Sequence, residues 1–240
     1  MSRDVKHMAV ILDGNGRWAE GQKKDIREWH FSGFQKFREM ALHVMNHHPK
    51  IQELSGWAFA PSNMKRPLRE VAGIFLLIYR QIWKFSDELM QNDARFQVIG
   101  DLTKVPKLAR KKLEETIQLT KNNNKLRVNL NIMYDGREEV LGAMRKLAQE
   151  WVDISNMDDG ELDTAITSRL HSGACEPVDL LFIPWSEKWI RIRDYYLWRI
   201  RNAHIHGIDT LLPDVTMGEM DFAISRAESS HLTNWARPAA

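Results

Sequence analysis

The sequence is poor in cysteine and contains no long apolar run. Its only cysteine, Cys175, cannot form an internal disulfide or contribute to a zinc site built from several cysteines. No uninterrupted apolar segment approaches the roughly 20 residues that a membrane-spanning helix needs. The first residues also lack the apolar core of a signal peptide. We therefore expect a cytoplasmic protein without a transmembrane segment.

The sequence also lacks an excess of charge of either sign. It has 34 basic and 32 acidic residues, a balance that argues against general nucleic-acid binding because such proteins neutralise many phosphates. Hydrophobic residues make up 43% of the chain, enough for a sizeable core. No repeat, low-complexity tract or linker interrupts the sequence, so residues 1–240 are predicted to form a single domain.

Short aliphatic runs alternate along the chain with segments whose apolar residues recur at helical spacing. This alternation predicts an α/β fold, with a central, mainly parallel six-stranded sheet surrounded by helices. The arginine-rich segment 190–201 has the pattern of a basic amphipathic helix. The strands are predicted near residues 9–12, 56–60, 96–99, 127–133, 178–183 and 209–212.

The first predicted strand ends abruptly in a carboxylate, two glycines and an arginine. Residues 8–12 are typical of a strand buried on both faces, and Asp13 follows at the carboxyl end, where α/β sheets place their ligands. Gly14 and Gly16 allow a tight turn whose N–H groups can approach an anion, and Arg17 adds a permanent charge. One carboxylate beside such a turn suits a Mg²⁺-diphosphate. A glycine turn with a surface aspartate is the structural alternative.

A second polar group follows the second predicted strand. Asn63 and Arg66 lie between that strand and a helix, so we expect them to converge on the same site as Asp13. An asparagine can hold a substrate or orient a carboxylate, and an arginine can bind diphosphate oxygens bidentately. A helix cap and a surface arginine are the structural alternative.

Taken together, these blocks resemble the cis-prenyltransferases, the family of undecaprenyl diphosphate synthase-like enzymes. Residues 13–18 resemble the family's opening motif, and the likeness extends over nearly the whole chain. The later matching positions are His30 and Gly33, then Asn63, Arg66 and Pro67, then Ile99, Gly100 and Asp101, then Tyr134, Gly136 and Arg137, and finally Leu197, Trp198, Pro213 and Asp214.

The resemblance implies the family's chemistry, in which an allylic diphosphate ionises and the double bond of another isoprene unit attacks the cation. It implies Mg²⁺ as the cofactor, isoprenoid diphosphates as substrates and a homodimer as the assembly. Asp13 would engage Mg²⁺ and the donor diphosphate, with Asn63, Arg66 and His30 as further catalytic residues. The donor diphosphate would be held by Gly14, Asn15, Gly16, Arg17, Trp18, His30 and Arg66.

The sequence departs from the family where the acceptor should bind. Members normally carry an arginine after the fifth strand and then Arg-x-Ser, which bind the diphosphate of isopentenyl diphosphate. Segment 183–189 has no arginine, and Arg191 and Arg193, in an Arg-Ile-Arg sequence, are the remaining candidates. A family glutamate that helps to organise the metal aligns with His204, which makes that histidine a candidate metal ligand. Arg27 is a candidate substitute for a nearby family arginine that is absent here.

The residues predicted to bind the donor substrate match the family, whereas those for the acceptor are altered. In this combination the sequence resembles the lavandulyl-type members of the family. Such a protein would join two dimethylallyl diphosphates head-to-middle, giving a branched product that is acyclic or cyclised. The alternative is a regular head-to-tail synthase of short or medium chains that uses isopentenyl diphosphate. A non-catalytic partner subunit is disfavoured because residues 13–18 match the family motif.

Two further groups of residues have both a structural and a functional interpretation. Phe75, Tyr79 and Trp83 recur at helical spacing, where they would either limit the length of the product or pack in the core. Several histidines are expected to end a helix, where interaction with the helix dipole accounts for them. These are His43, His47 and His48.

Overall fold

The structure is a computed structural model that describes residues 4–23, 26–185 and 190–229, with residues 26–29 described by their backbone only. The side chain of Arg27 and residues 186–189 of the altered segment lie outside this description. The strands are β1 (His7–Ile11), β2 (Glu53–Phe59), β3 (Ala94–Ile99), β4 (Leu126–Ile132), β5 (Leu180–Ile183) and β6 (His204–Gly207). The helices are α1 (Asn15–Gly21), α2 (Ile26–His47), α3 (Leu68–Gln91), α4 (Lys107–Thr120), α5 (Gly136–Gln149), α6 (Asp159–Thr167) and α7 (Met217–Ser229).

The six strands form one sheet in the order β3-β4-β2-β1-β5-β6, and each neighbouring pair is parallel. The predicted fold class is therefore confirmed. All five residues of β1 are buried, as expected for a strand covered on both faces. Because parallel strands end at the same edge of a sheet, Asp13 after β1 lies beside Asn63 and Arg66 after β2.

The last strand does not lie where the sequence predicted it. β6 pairs with β5 from His204 to Gly207, whereas residues 209–212 form a turn that leads into the 3-10 helix Leu212–Asp214. The apolar run misled the prediction because Leu212 is buried from the 3-10 helix rather than from a strand. Pro213 follows it, and a proline cannot donate to a strand ladder. β6, the true edge strand, contains two histidines, so it does not stand out as an apolar run in the sequence.

The predicted basic helix at residues 190–201 was also wrong. Arg193, Asp194 and Tyr196 have φ angles of 52°, 61° and 51°, a left-handed conformation that a right-handed helix cannot contain. Tyr195 and Tyr196 are fully buried, and the ring of Tyr195 stacks on Trp57 with 5.0 Å between centroids. Burial of these two rings fixes the segment as a series of turns.

Helices cover both faces of the sheet. On one face, α2, α3, α4 and α7 contribute buried side chains to one large apolar cluster. A second cluster on the other face includes Tyr134, Tyr195 and Tyr196. α5 and α6 pack together around Leu147 and Ile166. No helix within the described ranges is long and apolar enough to cross a membrane.

Candidate active site

Asp13 lies just beyond the carboxyl end of β1, at the edge of an open cavity. Its Oδ1 accepts a hydrogen bond from the N–H of Gly14 at 2.7 Å, which fixes the direction of the carboxylate. Gly14 has a φ of 94°, a conformation that favours glycine, and a Cβ there would lie 3.1 Å from Leu211. The Oδ2 atom of Asp13 lies 3.2 Å from Nη2 of Arg193. The carboxylate of Asp13 therefore faces the cavity beside a guanidinium group.

Two adjoining cavities meet at Asp13. One, of about 290 Å³, extends toward Asp135 and Arg193. The other, of about 390 Å³, extends over residues 14–17 toward His30. Because the two cavities share much of their lining, they form one continuous site. Most of the residues predicted to bind the donor diphosphate project into it. The shared residues are Leu12, Asp13, Ala58, Phe59, Asn63 and Arg66.

Asn63 lies in the 3-10 turn Pro61–Lys65 that follows β2. Its side-chain Oδ1 accepts a hydrogen bond from the N–H of Ala60 at 2.8 Å. This bond holds the turn closed and occupies the amide oxygen. The NH₂ group is therefore the donor that Asn63 offers to the cavity.

Arg66 is held by a carboxylate that the sequence analysis did not identify. Its Nη1 donates to Oε1 of Glu70 at 2.8 Å, and Glu70 itself is only 8% exposed. Arg66 lies two residues before α3 and Glu70 lies in the first turn of that helix, so the two residues are four apart in the sequence. That spacing was the available signal. Glu70 fixes the guanidinium group at the rim of the second cavity.

His30 contacts the same carboxylate from α2, with 3.6 Å between its Nε2 and Oε1 of Glu70. Burial lowers the pKa of His30 to about 4, an effect that Glu70 opposes and Arg66 reinforces. The imidazole is therefore neutral at neutral pH, and its contact with Glu70 is not an ion pair. His30 can form a hydrogen bond with a substrate but adds no positive charge.

Gly14 turns the chain after Asp13, whereas Gly16, predicted to belong to the same tight turn, lies in α1, which packs closely against α2. The Nδ2 atom of Asn15 donates to the carbonyl of Leu12 at 3.1 Å. Its Oδ1 is buried and has no hydrogen-bond partner in the part of the chain that the structure describes. Gly33 permits this contact, because a Cβ at that position would lie 2.5 Å from Oδ1 of Asn15. The amide of Asn15 is thus confined at the wall of the second cavity.

Arg17 and Trp18 of α1 point in different directions. The guanidinium of Arg17 lies 3.0 Å from the centre of the Trp185 ring, a cation–π contact, and Arg17 lines the second cavity. Trp18 instead donates from Nε1 to Oδ1 of Asp214 at 2.8 Å and belongs to the lining of neither cavity. Sequence reasoning did not identify Trp185 as a neighbour of Arg17.

The two candidate acceptor arginines are placed differently. Arg193 lines the first cavity and faces Asp13, whereas Arg191 is exposed and lines neither cavity. Asp135 and Asp194 also line the first cavity, although Asp135 accepts a hydrogen bond from the N–H of Glu138 and so caps α5. The structure therefore brings one of the two predicted arginines to the site.

His204 lies far from Asp13 within one chain. It pairs with Leu180 in the sheet, and Leu180 pairs with Met8, five residues before Asp13. At about 3.3 Å per residue, the three steps from Met8 to Ile11 at the end of β1 span about 10 Å along the strand direction, and Asp13 lies beyond that end. His204 and Asp13 of the same chain therefore cannot ligate one ion, and a metal role for His204 at this site requires a second copy of the chain.

The predicted aromatic stripe of α3 divides between core and surface. Phe75 is buried with its ring centroid 5.1 Å from that of Phe59, which lines both cavities. Tyr79 and Trp83 are 42% and 57% exposed and line neither cavity. An apolar groove beside them is lined by other residues, including Phe31, Gly73, Leu76 and Leu77.

The sequence and fold match known proteins over most of their length. A family model described as "Putative undecaprenyl diphosphate synthase" matches residues 11–231. The chain belongs to the cis-prenyltransferase family. The predicted resemblance is thus confirmed, the protein is a prenyltransferase, and its family implies isoprenoid diphosphates as substrates.

Relatives of this cis-prenyltransferase include bacterial enzymes and a plant enzyme. An isoprenyl transferase of Chlorobaculum tepidum is 31% identical over 91% of this chain and 81% of that protein. A ditrans,polycis-undecaprenyl-diphosphate synthase of Francisella tularensis, (2E,6E)-farnesyl-diphosphate specific, is 29% identical over 92% of this chain and 84% of that protein. The crystal structure of lavandulyl diphosphate synthase from Lavandula x intermedia, in complex with dimethylallyl diphosphate, has a TM-score of 0.82 at 22% identity and covers 95% of this chain and 96% of that chain. This last likeness shows the fold.

Proposed function

We propose that this protein is a Mg²⁺-dependent synthase that ionises dimethylallyl diphosphate beside Asp13 and couples it head-to-middle to a second dimethylallyl diphosphate. The observation that carries the proposal is the continuous site at the end of β1. There the carboxylate of Asp13, Gly14 with the first turn of α1, and the polar groups of Asn63 and Arg66 surround the same space. The diphosphate is the part of the substrate that such groups recognise.

The residues at this site fit a magnesium ion. Mg²⁺ in proteins takes one or two carboxylates and fills its other positions with substrate phosphates and water. Asp13 supplies one carboxylate at the cavity edge, and that group is about one-third exposed. When bound there with the substrate, Mg²⁺ neutralises charge that develops on the departing diphosphate.

The chain's own donors account for recognition of the diphosphate. Arg66, oriented by Glu70, offers a fixed guanidinium group, and Arg17 adds a second positive charge to the same cavity. Neutral His30 and the NH₂ group of Asn63 add hydrogen bonding without further charge. Donors placed in advance stabilise the leaving group as its negative charge grows.

The apolar wall protects the reacting carbons. Ile11, Trp57 and Phe59 line the first cavity beside the polar groups, and Phe75 supports Phe59 from behind. When the C1–O bond of the donor breaks, its electron pair leaves with the diphosphate. The internal double bond of the acceptor then attacks C1, and the tertiary cation loses a proton, directly or after ring closure. Excluding water favours this attack over hydrolysis.

The altered acceptor half supports the head-to-middle reaction. Where the family has an arginine after β5, this chain has Pro184 and Trp185, and Trp185 contacts Arg17. Arg191 lies outside both cavities, and Arg193 faces Asp13. These features leave the usual diphosphate site for isopentenyl diphosphate without its first arginine.

A regular head-to-tail synthase is the second candidate. It is favoured by the names of the relatives that are about 30% identical, an isoprenyl transferase and an undecaprenyl-diphosphate synthase. In that case Arg193 would bind the diphosphate of isopentenyl diphosphate from its position in the first cavity.

Product analysis distinguishes the two reactions. The protein is incubated with Mg²⁺ and dimethylallyl diphosphate, with or without isopentenyl diphosphate, and the alcohols are identified after dephosphorylation. We expect a branched ten-carbon alcohol from dimethylallyl diphosphate alone, formed about 10²–10³-fold more slowly by an Asp13→Ala control. Products only when isopentenyl diphosphate is present would establish the regular reaction, and no product from any allylic donor would overturn both.

We also propose that the protein is a homodimer. β6 is an edge strand with half-buried residues, and Phe222 of α7 is 59% exposed beside it, with its ring 5.8 Å from that of His206. An apolar side chain at an open sheet edge favours association with a second copy.

A further inference from the structure

Three side chains with metal-binding atoms converge at a place that the proposed reaction does not use. His43 lies near the carboxyl end of α2, His48 follows the end of that helix, and Asp221 lies on α7. The Nε2 atoms of His43 and His48 each lie 2.7 Å from the same Oδ1 of Asp221. The sequence analysis explained these histidines by the helix dipole and did not foresee a carboxylate between them.

The cluster has the chemistry of a transition-metal site. Two imidazoles and one carboxylate suit Zn²⁺ and similar ions, whereas Mg²⁺ prefers oxygen ligands. One ligand atom from each residue lies within 4.8 Å of the other two. In a tetrahedral zinc site, neighbouring ligand atoms are about 3.3 Å apart. Each Nε2 atom is now 2.7 Å from Oδ1 of Asp221. To admit an ion, the two atoms of each pair would separate by only about 0.6 Å.

The surroundings allow an ion to enter and leave room for a fourth ligand. The side chains of His43, His48 and Asp221 are 16%, 20% and 44% exposed, so water can reach the cluster. Nε2 of each histidine now shares a hydrogen bond with Asp221. To bind a metal through Nε2, each imidazole carries its proton on Nδ1.

We propose that His43, His48 and Asp221 form a binding site for a divalent transition metal of the zinc class, with water as the fourth ligand. The site joins the carboxyl end of α2 to α7. His43 is 13 residues from His30 on α2, or about 20 Å at 1.5 Å per residue. The ion therefore acts at a distance from the diphosphate site, by fixing the helix that carries His30 and Gly33.

Calorimetric titration with Zn²⁺ tests this site. The metal-free protein is titrated in millimolar Mg²⁺, so that oxygen-ligand sites such as Asp13 are occupied. We expect one Zn²⁺ per chain, with affinity lowered at least about a hundredfold in His43→Gln, His48→Gln or Asp221→Asn, since even the loss of a residue that only orients a ligand costs 10–100-fold. Each replacement keeps a polar side chain and so preserves hydrogen bonding without a good zinc ligand.

Two control variants and a stability measurement make the result decisive. His47→Gln removes an exposed histidine whose ring is 4.6 Å from that of His43, and Asp13→Asn alters the diphosphate site. Both should bind Zn²⁺ as the wild type does. Zn²⁺ should also raise the melting temperature of the wild type but not of His48→Gln, provided that both have the same circular dichroism without metal. Unchanged binding in His43→Gln and His48→Gln, loss of binding in Asp13→Asn, or absence of binding in the wild type would each overturn the proposal.

Discussion

Asp13 provides the carboxylate on which the proposed chemistry depends, and its environment permits its removal without loss of the fold. It is partly exposed, and its ion-pair partner Arg193 is 51% exposed, so their contact contributes little to stability. We expect Asp13→Ala to lower kcat by about 10²–10³-fold, the range for losing one group that stabilises developing charge. Steady-state kinetics with dimethylallyl diphosphate measure this effect.

Asp209→Ala is a suitable control for that substitution, since Asp209 is exposed and lines neither cavity. It should leave kcat and the melting temperature unchanged. Near-normal turnover by Asp13→Ala, with normal folding, would remove the basis for a metal-diphosphate site at this residue.

His30 should make the protein less stable in acid. Burial lowers its pKa from 6.5 to about 4, so between these values the unfolded chain binds a proton that the folded chain does not. Neutral His30 contributes to the free energy of unfolding. This contribution is fully present above pH 6.5 and is lost as the pH falls toward 4, a change on the order of 3 kcal/mol. Urea unfolding at several pH values measures it.

The comparison with variants isolates the effect of His30 from that of other groups. His30→Gln should show a free energy of unfolding that falls less steeply between pH 6.5 and 4 than that of the wild type. Equal slopes for wild type and His30→Gln would show that the imidazole titrates normally.

Single residues of the site were predictable where they lie in motifs at strand ends. Asp13, Asn63 and Arg66 follow strands that the aliphatic runs reveal, and their side chains meet as expected. Glu70 and Trp185 were not found, because their importance comes from the partner that each contacts across a turn or a loop.

At the scale of elements, the close packing of α1 against α2 positions the first turn of α1, which lines the second cavity. A Cβ at Gly33 would lie 2.5 Å from Asn15, so Gly33→Ala should displace the Asn15 amide. Because alanine favours a helix interior by about 1 kcal/mol over glycine, the fold should not lose stability. We expect kcat/KM to fall by about 10–100-fold, as it does when a positioning group moves by about 1 Å.

Gly142 on α5 offers a matched control for Gly33. A Cβ at Gly142 would meet nothing within 4 Å, so Gly142→Ala should keep full activity and gain slight stability. If Gly33→Ala retains full kcat/KM, the position of Asn15 does not matter for catalysis.

Whole elements were predictable where burial produces a repeating pattern. β1 to β5 and the long helices follow apolar periodicities that the sequence displays directly. β6 was misplaced because an edge strand needs few apolar residues, and its two histidines resemble a loop. The turns at residues 193–196 were mistaken for a helix, since left-handed backbone at Arg193 and Tyr196 leaves no sign in the spacing of side chains.

At the scale of the whole molecule, the open edge at β6 should bring two chains together. Light scattering after size-exclusion chromatography should give twice the chain mass of 28.0 kDa. We expect Phe222→Lys to weaken the dimer, whereas Leu119→Lys, at an exposed position on α4, should not. A wild-type mass of one chain at micromolar concentration would contradict the proposed homodimer.

In the parallel sheet, β1 and β2 end at the same edge, which brings the polar groups that follow them into one space. We assign the family's chemistry to that space. A crystal structure with Mg²⁺ and the thiolo analogue of dimethylallyl diphosphate, which ionises slowly, would locate the substrate. We expect both phosphorus atoms between Asp13, the start of α1 and Arg66, with the allyl carbons toward Phe59. Phosphorus bound away from the carboxyl end of β1 would contradict an active site at Asp13.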